Sequence, residues 1–227
     1  MSRSPPPARI LERQGRCRQA GGYHIGKTGI TLLGISGSPR LKSTHYAVNE
    51  ALDYARDRHD VETDYFSVHN KTIGFCMHCD YCIRKKQGCI LDDAMGELHE
   101  KMLRADAWIL GSPVYQGQVS GQMKTVLDRC RAPVARDPQA FRNKVGMGIC
   151  IGGDRSGGQE PSLQSLIDFY LINQMIPVGG GSFGANLGAA VWSRDKGVEG
   201  VKADAEGIAA AHRVVDRLVD VARLLHT

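Results

Sequence analysis

The sequence has no long hydrophobic run. Of its 227 residues, 42% are hydrophobic, but no uninterrupted apolar stretch approaches the roughly 20 residues that a membrane-spanning helix needs. No apolar core follows the N-terminal charges, as it would in a signal peptide. We therefore expect a cytoplasmic protein with no membrane partner, and at this length one domain with a substantial core.

Net charge is absent from most of the chain. The formal net charge is +5, and residues 1–28 hold six Lys and Arg side chains against Glu12, so residues 29–227 sum to zero. A neutral body argues against nucleic acid as a partner. The first 28 residues also contain three consecutive prolines and little apolar material. We expect residues 1–28 to form a flexible basic arm and residues 29–227 to form the domain.

The loop that follows the first predicted strand, residues 36–44, lacks two common nucleotide-binding motifs. It does not contain G-x-x-x-x-G-K-S/T, which argues against phosphoryl transfer at this loop. It also does not contain G-x-G-x-x-G, and Asp64 lies before the end of the second predicted strand, where a ribose-binding acid would be needed. A dinucleotide site of the Rossmann type is therefore not expected.

A small-residue loop after an apolar run is the most informative feature that is present. Residues 30–35 are almost wholly apolar, and residues 36–44, here called the phosphate loop, are rich in Ser, Gly and Pro before a helical pattern begins. Loop amides and a helix N-terminus together attract an anion. The side-chain donors of this loop are the four hydroxyls and one guanidinium of Ser36, Ser38, Arg40, Ser43 and Thr44. They suit a phosphate that stays bound.

Strand-like and helix-like segments alternate along the chain. Strands are predicted over residues 29–35, 61–68, 107–110, 145–151 and 176–183. Helices are predicted over residues 43–57, 121–130, 161–175 and 201–225 and from Asp92 onward, with residues 184–200 irregular. This alternation predicts an α/β fold with a parallel sheet covered on both faces.

Three loops are expected to meet at one edge of that sheet. In an open α/β sheet, ligands bind beyond the carboxyl ends of the strands, at the point where the strand order reverses. With the order 2-1-3-4-5, the first, third and fourth strands are adjacent. They are followed by the phosphate loop, by residues 111–117 and by residues 152–158, all rich in Gly, Ser or Pro. Taken singly, each loop could equally be an ordinary turn.

The three loops resemble those of the flavodoxin-like NAD(P)H-dependent FMN reductases. The resemblance rests on Gly-Ser-Pro-Arg at 37–40, Gly-Ser-Pro-Val-Tyr-Gln-Gly at 111–117, Ser-Gly-Gln-Met-Lys at 120–124 and the Gly-rich stretch at 152–160. It implies a flavodoxin-like doubly wound five-stranded parallel sheet of order 2-1-3-4-5, with a Cys-rich insertion after strand 2. It also implies FMN as bound cofactor and NAD(P)H as co-substrate.

The resemblance assigns parts of FMN to each loop. The phosphate is expected to bind to the donors of the phosphate loop. The flavin ring edge is expected to contact the second loop, through Pro113, Val114, Tyr115, Gln116 and Gly117. The pyrimidine side is expected to contact the third loop, through Gly152, Gly153, Asp154, Gly157 and Gly158. No residue is assigned a catalytic role; we expect His45 and Tyr115 to pack or position.

A cysteine segment, residues 69–90, follows the second predicted strand. Its spacing is Cys76-x2-Cys79-x2-Cys82-x6-Cys89. Four thiolates so close together can surround a 4Fe–4S cluster, which needs one Cys for each iron. Zinc sites more often use two separated C-x2-C pairs. Zinc, free thiols without a cluster and disulfides all remain open from the spacing alone.

Among FMN proteins, this cysteine pattern resembles the iron–sulfur flavoproteins. That resemblance implies an FMN-dependent electron-transfer enzyme that passes electrons between NAD(P)H or ferredoxin and a small-molecule acceptor. It also implies a homodimer or homotetramer. Two alternatives remain: a cluster-free NAD(P)H:quinone, azo or FMN reductase, and a non-enzymatic electron carrier or redox sensor.

Overall fold

The computed structural model describes residues 29–182 and 184–226, and the predicted arm lies outside them. In this part of the chain, helices cover both faces of a seven-stranded sheet. The strands are β1 (Thr31–Ser36), β2 (Glu62–Ser67), β3 (Ala107–Tyr115), β4 (Gln118–Val119), β5 (Val145–Gly152), β6 (Ile176–Pro177) and β7 (Ala189–Trp192). The helices are α1 (Ser43–His59), α2 (Tyr81–Lys85), α3 (Met95–Arg104), α4 (Gly121–Arg129), α5 (Arg131–Arg136), α6 (Gln159–Ile172), α7 (Gly197–Lys202) and α8 (Ala205–His226).

The predicted strand order is confirmed. The main path of the sheet runs β2-β1-β3-β5-β6, with all of these neighbours parallel. The fourth and fifth strands predicted from the sequence are β5 and β6. The carboxyl ends of β1, β3 and β5 therefore lie side by side, as the convergence of the three loops requires.

The core consists of two apolar layers, one on each face of the sheet. Successive side chains of a strand point to opposite faces. Leu32 of β1 accordingly belongs to the layer under α1 and α8, whereas Leu33 and Ile35 belong to the layer under α3, α4 and α6. Burial on both faces explains why this strand is almost continuously hydrophobic. No described helix has the length and apolar character needed to cross a membrane.

The third strand is longer than predicted. Gly111 and Pro113 were expected to end it, but β3 continues to Tyr115 and folds back on β4 as a hairpin. Gln116 and Gly117 form the hairpin tip with φ angles of 51° and 78°, which suits a tight two-residue turn. Gly111 is a packing residue, because a Cβ there would collide with Val48 of α1.

The predicted fifth strand was too long, and the irregular segment after it is partly regular. β6 contains only Ile176–Pro177, because the following glycines lead the chain out of the sheet and back on itself, with the Gly180 N–H bonded to the Ala185 carbonyl at 2.7 Å. β7 then returns and extends the same edge along β5. Its four residues are too few to give a clear period in the sequence.

The predicted closing helix is divided in two. α7 and α8 are separated around Asp204, whose side chain is almost fully buried. Its carboxylate accepts hydrogen bonds from the Trp192 N–H at 2.7 Å and from Arg155 at 2.8 Å. The break in the helix thus fixes the end of β7 and one residue of the third loop.

Candidate functional site

The structure brings the three predicted loops into direct contact. The Ser120 hydroxyl, just after β4, donates to the Gly37 carbonyl of the phosphate loop at 2.6 Å. The Ser120 N–H donates to the Ser112 hydroxyl at 3.0 Å. A Cβ at Gly158 of the third loop would lie 2.7 Å from the Gly117 Cα. The edge of the sheet is therefore a single, mutually braced surface.

The phosphate loop ends in an uncapped helix. α1 begins at Ser43, and the preceding Lys42 provides no side-chain hydrogen bond to the first turn. The first amides of a helix have no partner within it, so they remain available to an anion. Arg40 is exposed beside them, and its own N–H is held by the Ser38 hydroxyl at 3.1 Å. The local charge and the free amides both favour a phosphate.

Three of the five predicted phosphate residues are buried. Ser36 is fully buried at the end of β1, and Ser38 in the loop and Thr44 in the first turn of α1 are almost as buried. The Ser36 hydroxyl makes no standard hydrogen bond with a described residue. The side chains of Arg40 and Ser43 are more accessible. Accessibility alone therefore favours these two as the side-chain contacts of an anion.

His45 has a structural contact. Its Nδ1 lies 2.7 Å from the hydroxyl of Tyr65 on β2. Burial raises the pKa of Tyr65, so that the hydroxyl stays protonated and can donate to the imidazole. This bond joins α1 to β2 beside the phosphate loop, and the role of His45 at the site stays a prediction.

The second loop is the tip of the β3–β4 hairpin and lies beside the phosphate loop. Pro113 is buried within β3, whereas Tyr115 and Gln116 are exposed at the hairpin tip. Gly117 has a positive φ, and a Cβ there would meet nothing within 4 Å, so its backbone is open on that side. The hairpin thus offers a ring and a bare backbone edge next to each other.

The third loop is closed by a side chain that the sequence analysis did not single out. Gln159 is buried; its Oε1 accepts from the Gly157 N–H at 2.8 Å, and its Nε2 donates to the Asp154 carbonyl at 2.6 Å. Trp192 braces the loop from outside by donating from Nε1 to the Gly153 carbonyl at 2.7 Å. The available signal for Gln159 was an amide side chain directly after the glycines at 157 and 158, where it can bond to the backbone of the loop.

The cysteine segment is joined to both the phosphate loop and the α4–α5 junction. His69, at its start, places Nδ1 2.7 Å from the Pro39 carbonyl. Near its base, the Gly74 N–H donates to Asp93 at 2.9 Å. Arg129 donates to the Gly74 carbonyl at 2.6 Å and binds the Asp93 carboxylate through two nitrogens at 2.7 and 3.0 Å. The two ends of the segment are therefore held together.

This ion pair is buried. The Arg129 side chain is 1% exposed and the Asp93 side chain 7%. Burial alone would raise the pKa of Asp93, but the guanidinium and the amides of Gly74 and Met95 hold it below its ordinary value. Both groups are thus charged near neutral pH, and each depends on the other.

The four predicted metal ligands are free thiols. Cys76 and Cys79 are exposed, and Cys82 and Cys89 are half-buried. Within the described residues, no three His, Cys, Asp or Glu side chains are grouped so that they could hold a metal ion. The metal-ligand set therefore remains a prediction.

The guanidiniums of Arg129 and Arg131 lie next to these thiols, Arg129 near Cys89 and Arg131 near Cys82 and Cys76. Arg131 binds Asp80 at 2.6 Å. Asp80 first, and then Cys82 and Cys76, raise the pKa of Arg131 by favouring its charged form. Positive groups beside cysteines stabilise thiolates, which are the form that binds metals. The donor chemistry of the segment fits a thiolate-ligated cluster in this respect.

Sequence comparison finds similar proteins over most of the chain. A family model described as NADPH-dependent FMN reductase matches residues 30–190. An iron-sulfur flavoprotein of Methanocaldococcus jannaschii is 55% identical over 192 residues, which are 85% of this chain and 96% of that protein. An iron-sulfur flavoprotein of Archaeoglobus fulgidus is 50% identical over 190 residues, or 84% and 96% of the two chains. A shorter match, 38% identical over 84 residues, relates 37% of this chain to 39% of an NAD(P)H dehydrogenase (quinone) of Methanosarcina acetivorans.

Solved structures share the fold at much lower identity. RosB, with bound 8-demethyl-8-formylriboflavin-5'-phosphate, superposes with a TM-score of 0.67 at 17% identity, over 87% of this chain and 80% of that one. A WrbA-like flavodoxin from Agrobacterium tumefaciens gives 0.60 at 16% identity, over 87% and 99%. With the parallel sheet described above, these likenesses confirm the predicted flavodoxin-like fold.

Proposed function

Because the chain belongs to the NADPH-dependent FMN reductase family and is an FMN oxidoreductase, we propose that it is an iron–sulfur flavoprotein. In this proposal it passes electrons between NAD(P)H or ferredoxin and a small-molecule acceptor, through FMN and a 4Fe–4S cluster. FMN exchanges hydride with a nicotinamide and also accepts single electrons. The protein binds, orients and shields the two groups.

The observation that carries the FMN part is the direct bracing of three loops at the carboxyl ends of β1, β3 and β5. In the proposal, the uncapped first turn of α1 binds the FMN phosphate with help from Arg40 and Ser43. The hairpin tip borders the flavin ring through residues 113–117. The third loop presents Asp154 and its glycines to the pyrimidine side.

The cluster part rests on the cysteine segment and its surroundings. We propose Cys76, Cys79, Cys82 and Cys89 as the four ligands. Support comes from the nearby guanidiniums of Arg129 and Arg131 and from the similarity to iron-sulfur flavoproteins of Methanocaldococcus jannaschii and Archaeoglobus fulgidus. The His69–Pro39 contact keeps the segment on the FMN side of the sheet.

The anaerobic visible spectrum tests this assignment. We expect flavin bands together with a broad shoulder near about 400 nm from iron–sulfur charge transfer. Cys79→Ser should lose the shoulder and keep the flavin bands. Met77→Ala is the matched control, because Met77 is exposed on the same segment and has no proposed ligand role. A wild-type spectrum with flavin bands alone would exclude the cluster.

A cluster-free NAD(P)H:quinone reductase is the second candidate. The relative from Methanosarcina acetivorans, an NAD(P)H dehydrogenase (quinone), favours it. Steady-state oxidation of NADH and NADPH with quinone, azo dye, FMN or ferredoxin as partner separates the two. Quinone turnover that is equal in wild type and in Cys79→Ser would support this second candidate.

We further propose that residues 29–227 act as one domain in a cytoplasmic homodimer or homotetramer. Exposed apolar side chains on the cysteine segment, Phe75, Met77, Ile83 and Ile90, support a contact between subunits. Exposed Arg84, Lys85 and Lys86 at the end of α2 suit an acidic donor such as ferredoxin. Light scattering that finds a monomer with FMN fully bound would contradict the oligomer.

A further inference from the structure

One buried side chain behind the cysteine segment has an unused hydrogen-bond donor. Arg129 ends α4 and is 2% exposed. Its two Nη atoms bind Asp93 and the Gly74 carbonyl. Its Nε is buried and has no standard hydrogen bond with a described residue. Buried donors in proteins nearly always have a partner, so this one requires an explanation.

Cys89 is a close neighbour of the Arg129 guanidinium. Cys89 and Arg129 line the same cleft, together with Asp93 and His99. Burial alone would lower the pKa of Arg129, but Asp93 and then the Cys89 sulfur, as close neighbours, keep it raised. The guanidinium is therefore held against the one cysteine that the six-residue gap separates from the other three.

His99 does not compete for this role. Burial lowers the pKa of His99 to about 4, so the ring is neutral at neutral pH. Its Nε2 lies 3.2 Å from the Arg129 carbonyl and donates to it. The ring thus holds the backbone of Arg129 in place, while the guanidinium supplies the positive charge next to Cys89.

We propose that Arg129 is the positioning residue for Cys89: its Nε–H donates to the Cys89 sulfur, and its bonds to Gly74 and Asp93 fix where that sulfur lies. This inference rests on the proposed iron–sulfur function. Hydrogen bonds to the sulfurs and solvent exposure help set cluster potentials. The donor therefore raises the reduction potential and holds the fourth ligand.

Arg131 provides the matched comparison. It also lies beside cysteines of the segment, Cys82 and Cys76, and is two residues away on the chain. Its side chain is 28% exposed, and its charge is already paired with Asp80. Solvent screens such a pair, so the same substitution there should affect the cluster less.

The test compares Arg129→Lys with Arg131→Lys in the FMN-loaded, anaerobically purified protein. Both variants keep the charge and lose the guanidinium. We expect Arg129→Lys to shift the cluster midpoint potential, measured by EPR-monitored titration, to more negative values. We also expect iron release to a chelator to be about 10-fold faster, the usual scale for residues that support metal ligands. Arg131→Lys should change both measurements much less.

A second variant covers the case in which Arg129→Lys does not fold. The pair Asp93→Asn with Arg129→Gln removes the arginine without leaving a buried carboxylate unpaired, and should show the same two changes. Equal potentials and release rates in wild type and the Arg129 variants, with four irons in each, would overturn this inference alone. A wild type without iron would overturn the iron–sulfur function and this inference with it.

Discussion

The proposed FMN site, here called the FMN edge, consists of the three loops at the carboxyl ends of β1, β3 and β5, and it differs from the cysteine segment in how far the polypeptide alone fixes its structure. At the FMN edge, hydrogen bonds from Ser120 and the contact of Gly158 with Gly117 link the three loops to one another. In the cysteine segment, the base is fixed by Arg129 and Asp93, but the four thiols are not grouped as metal ligands. The first site is fixed by the way the strands of the sheet lie side by side, whereas the second is a loop that is anchored only at its base.

This difference has a physical origin. The strand ends of a parallel sheet must lie together, so loops that follow adjacent strands converge without further cost. The cysteine segment gains little folding free energy from burial of its own apolar side chains, since those of Phe75 and Met77 are exposed. Metal binding contributes folding free energy in such segments. We therefore expect the proposed cluster to order the cysteine segment far more than FMN orders its loops.

Removing Asp93 is the strongest way to disturb the anchored loop. Asp93→Ala leaves the Arg129 guanidinium buried without its carboxylate, which typically costs about 3–5 kcal/mol. The free energy of unfolding, from urea titration, should fall by that amount. Asp53→Ala is the control, because Asp53 pairs with Arg56 on the exposed face of α1. A drop no larger than in the control would show that the pair does not anchor the segment.

A side chain at Gly158 should disturb the FMN edge and spare the cysteine segment. Gly158 has a φ of 103° and its Cα faces the Gly117 backbone. Gly158→Ala should therefore cost about 1–3 kcal/mol in strain and displace the hairpin. We expect FMN affinity, from flavin fluorescence titration, to fall at least about tenfold. Gly121→Ala is the control, because a Cβ there would meet nothing within 4 Å.

A substitution at Arg40 tests recognition of the FMN phosphate separately from recognition of the flavin ring. Arg40→Ala removes an exposed cation beside the uncapped turn of α1. We expect FMN affinity to fall by about tenfold while riboflavin, which has no phosphate, binds unchanged. Lys42→Ala should have a smaller effect. Equal losses for FMN and riboflavin would indicate that Arg40 supports the ring instead.

The smallest expected effect is on the free energy of unfolding at acidic pH. The pKa of Asp93 is held below its ordinary value, so the unfolded chain takes up this proton before the folded one. The stabilisation is present above about pH 4, the ordinary value for Asp, and is lost as the pH falls through the lower folded value. The Asp93→Asn, Arg129→Gln double variant should therefore show a flatter stability profile below about pH 4. An unchanged slope would mean that Asp93 does not titrate with unfolding.

The local sequence pattern was sufficient to predict where the phosphate loop lies, but it was insufficient to predict the packing and the strand pairing around that loop. An apolar strand that breaks into Gly, Ser and Pro identifies its own carboxyl end, so residues 36–44 could be placed from the sequence. Gly111 could not, because a glycine that makes room for Val48 has the same sequence signature as a glycine in a turn. β7 was missed because its pairing with β5 is long-range and its four residues show no period.

The anchoring of the cysteine segment was also beyond local pattern. Asp93 and Arg129 are 36 positions apart, and neither has a distinctive neighbourhood in the sequence. Their pairing depends on α4 and the start of α3 packing against the same side of the sheet. The cysteines, by contrast, were evident from spacing alone, although spacing could not tell which side of the segment a guanidinium would support.

Iron, acid-labile sulfide and FMN, measured per chain in one anaerobically purified sample, test the central claim most directly. The account predicts one FMN with about four irons and about four sulfides. One FMN with fewer than about two irons would contradict it and leave a cluster-free FMN reductase whose cysteine segment is an anchored loop without metal.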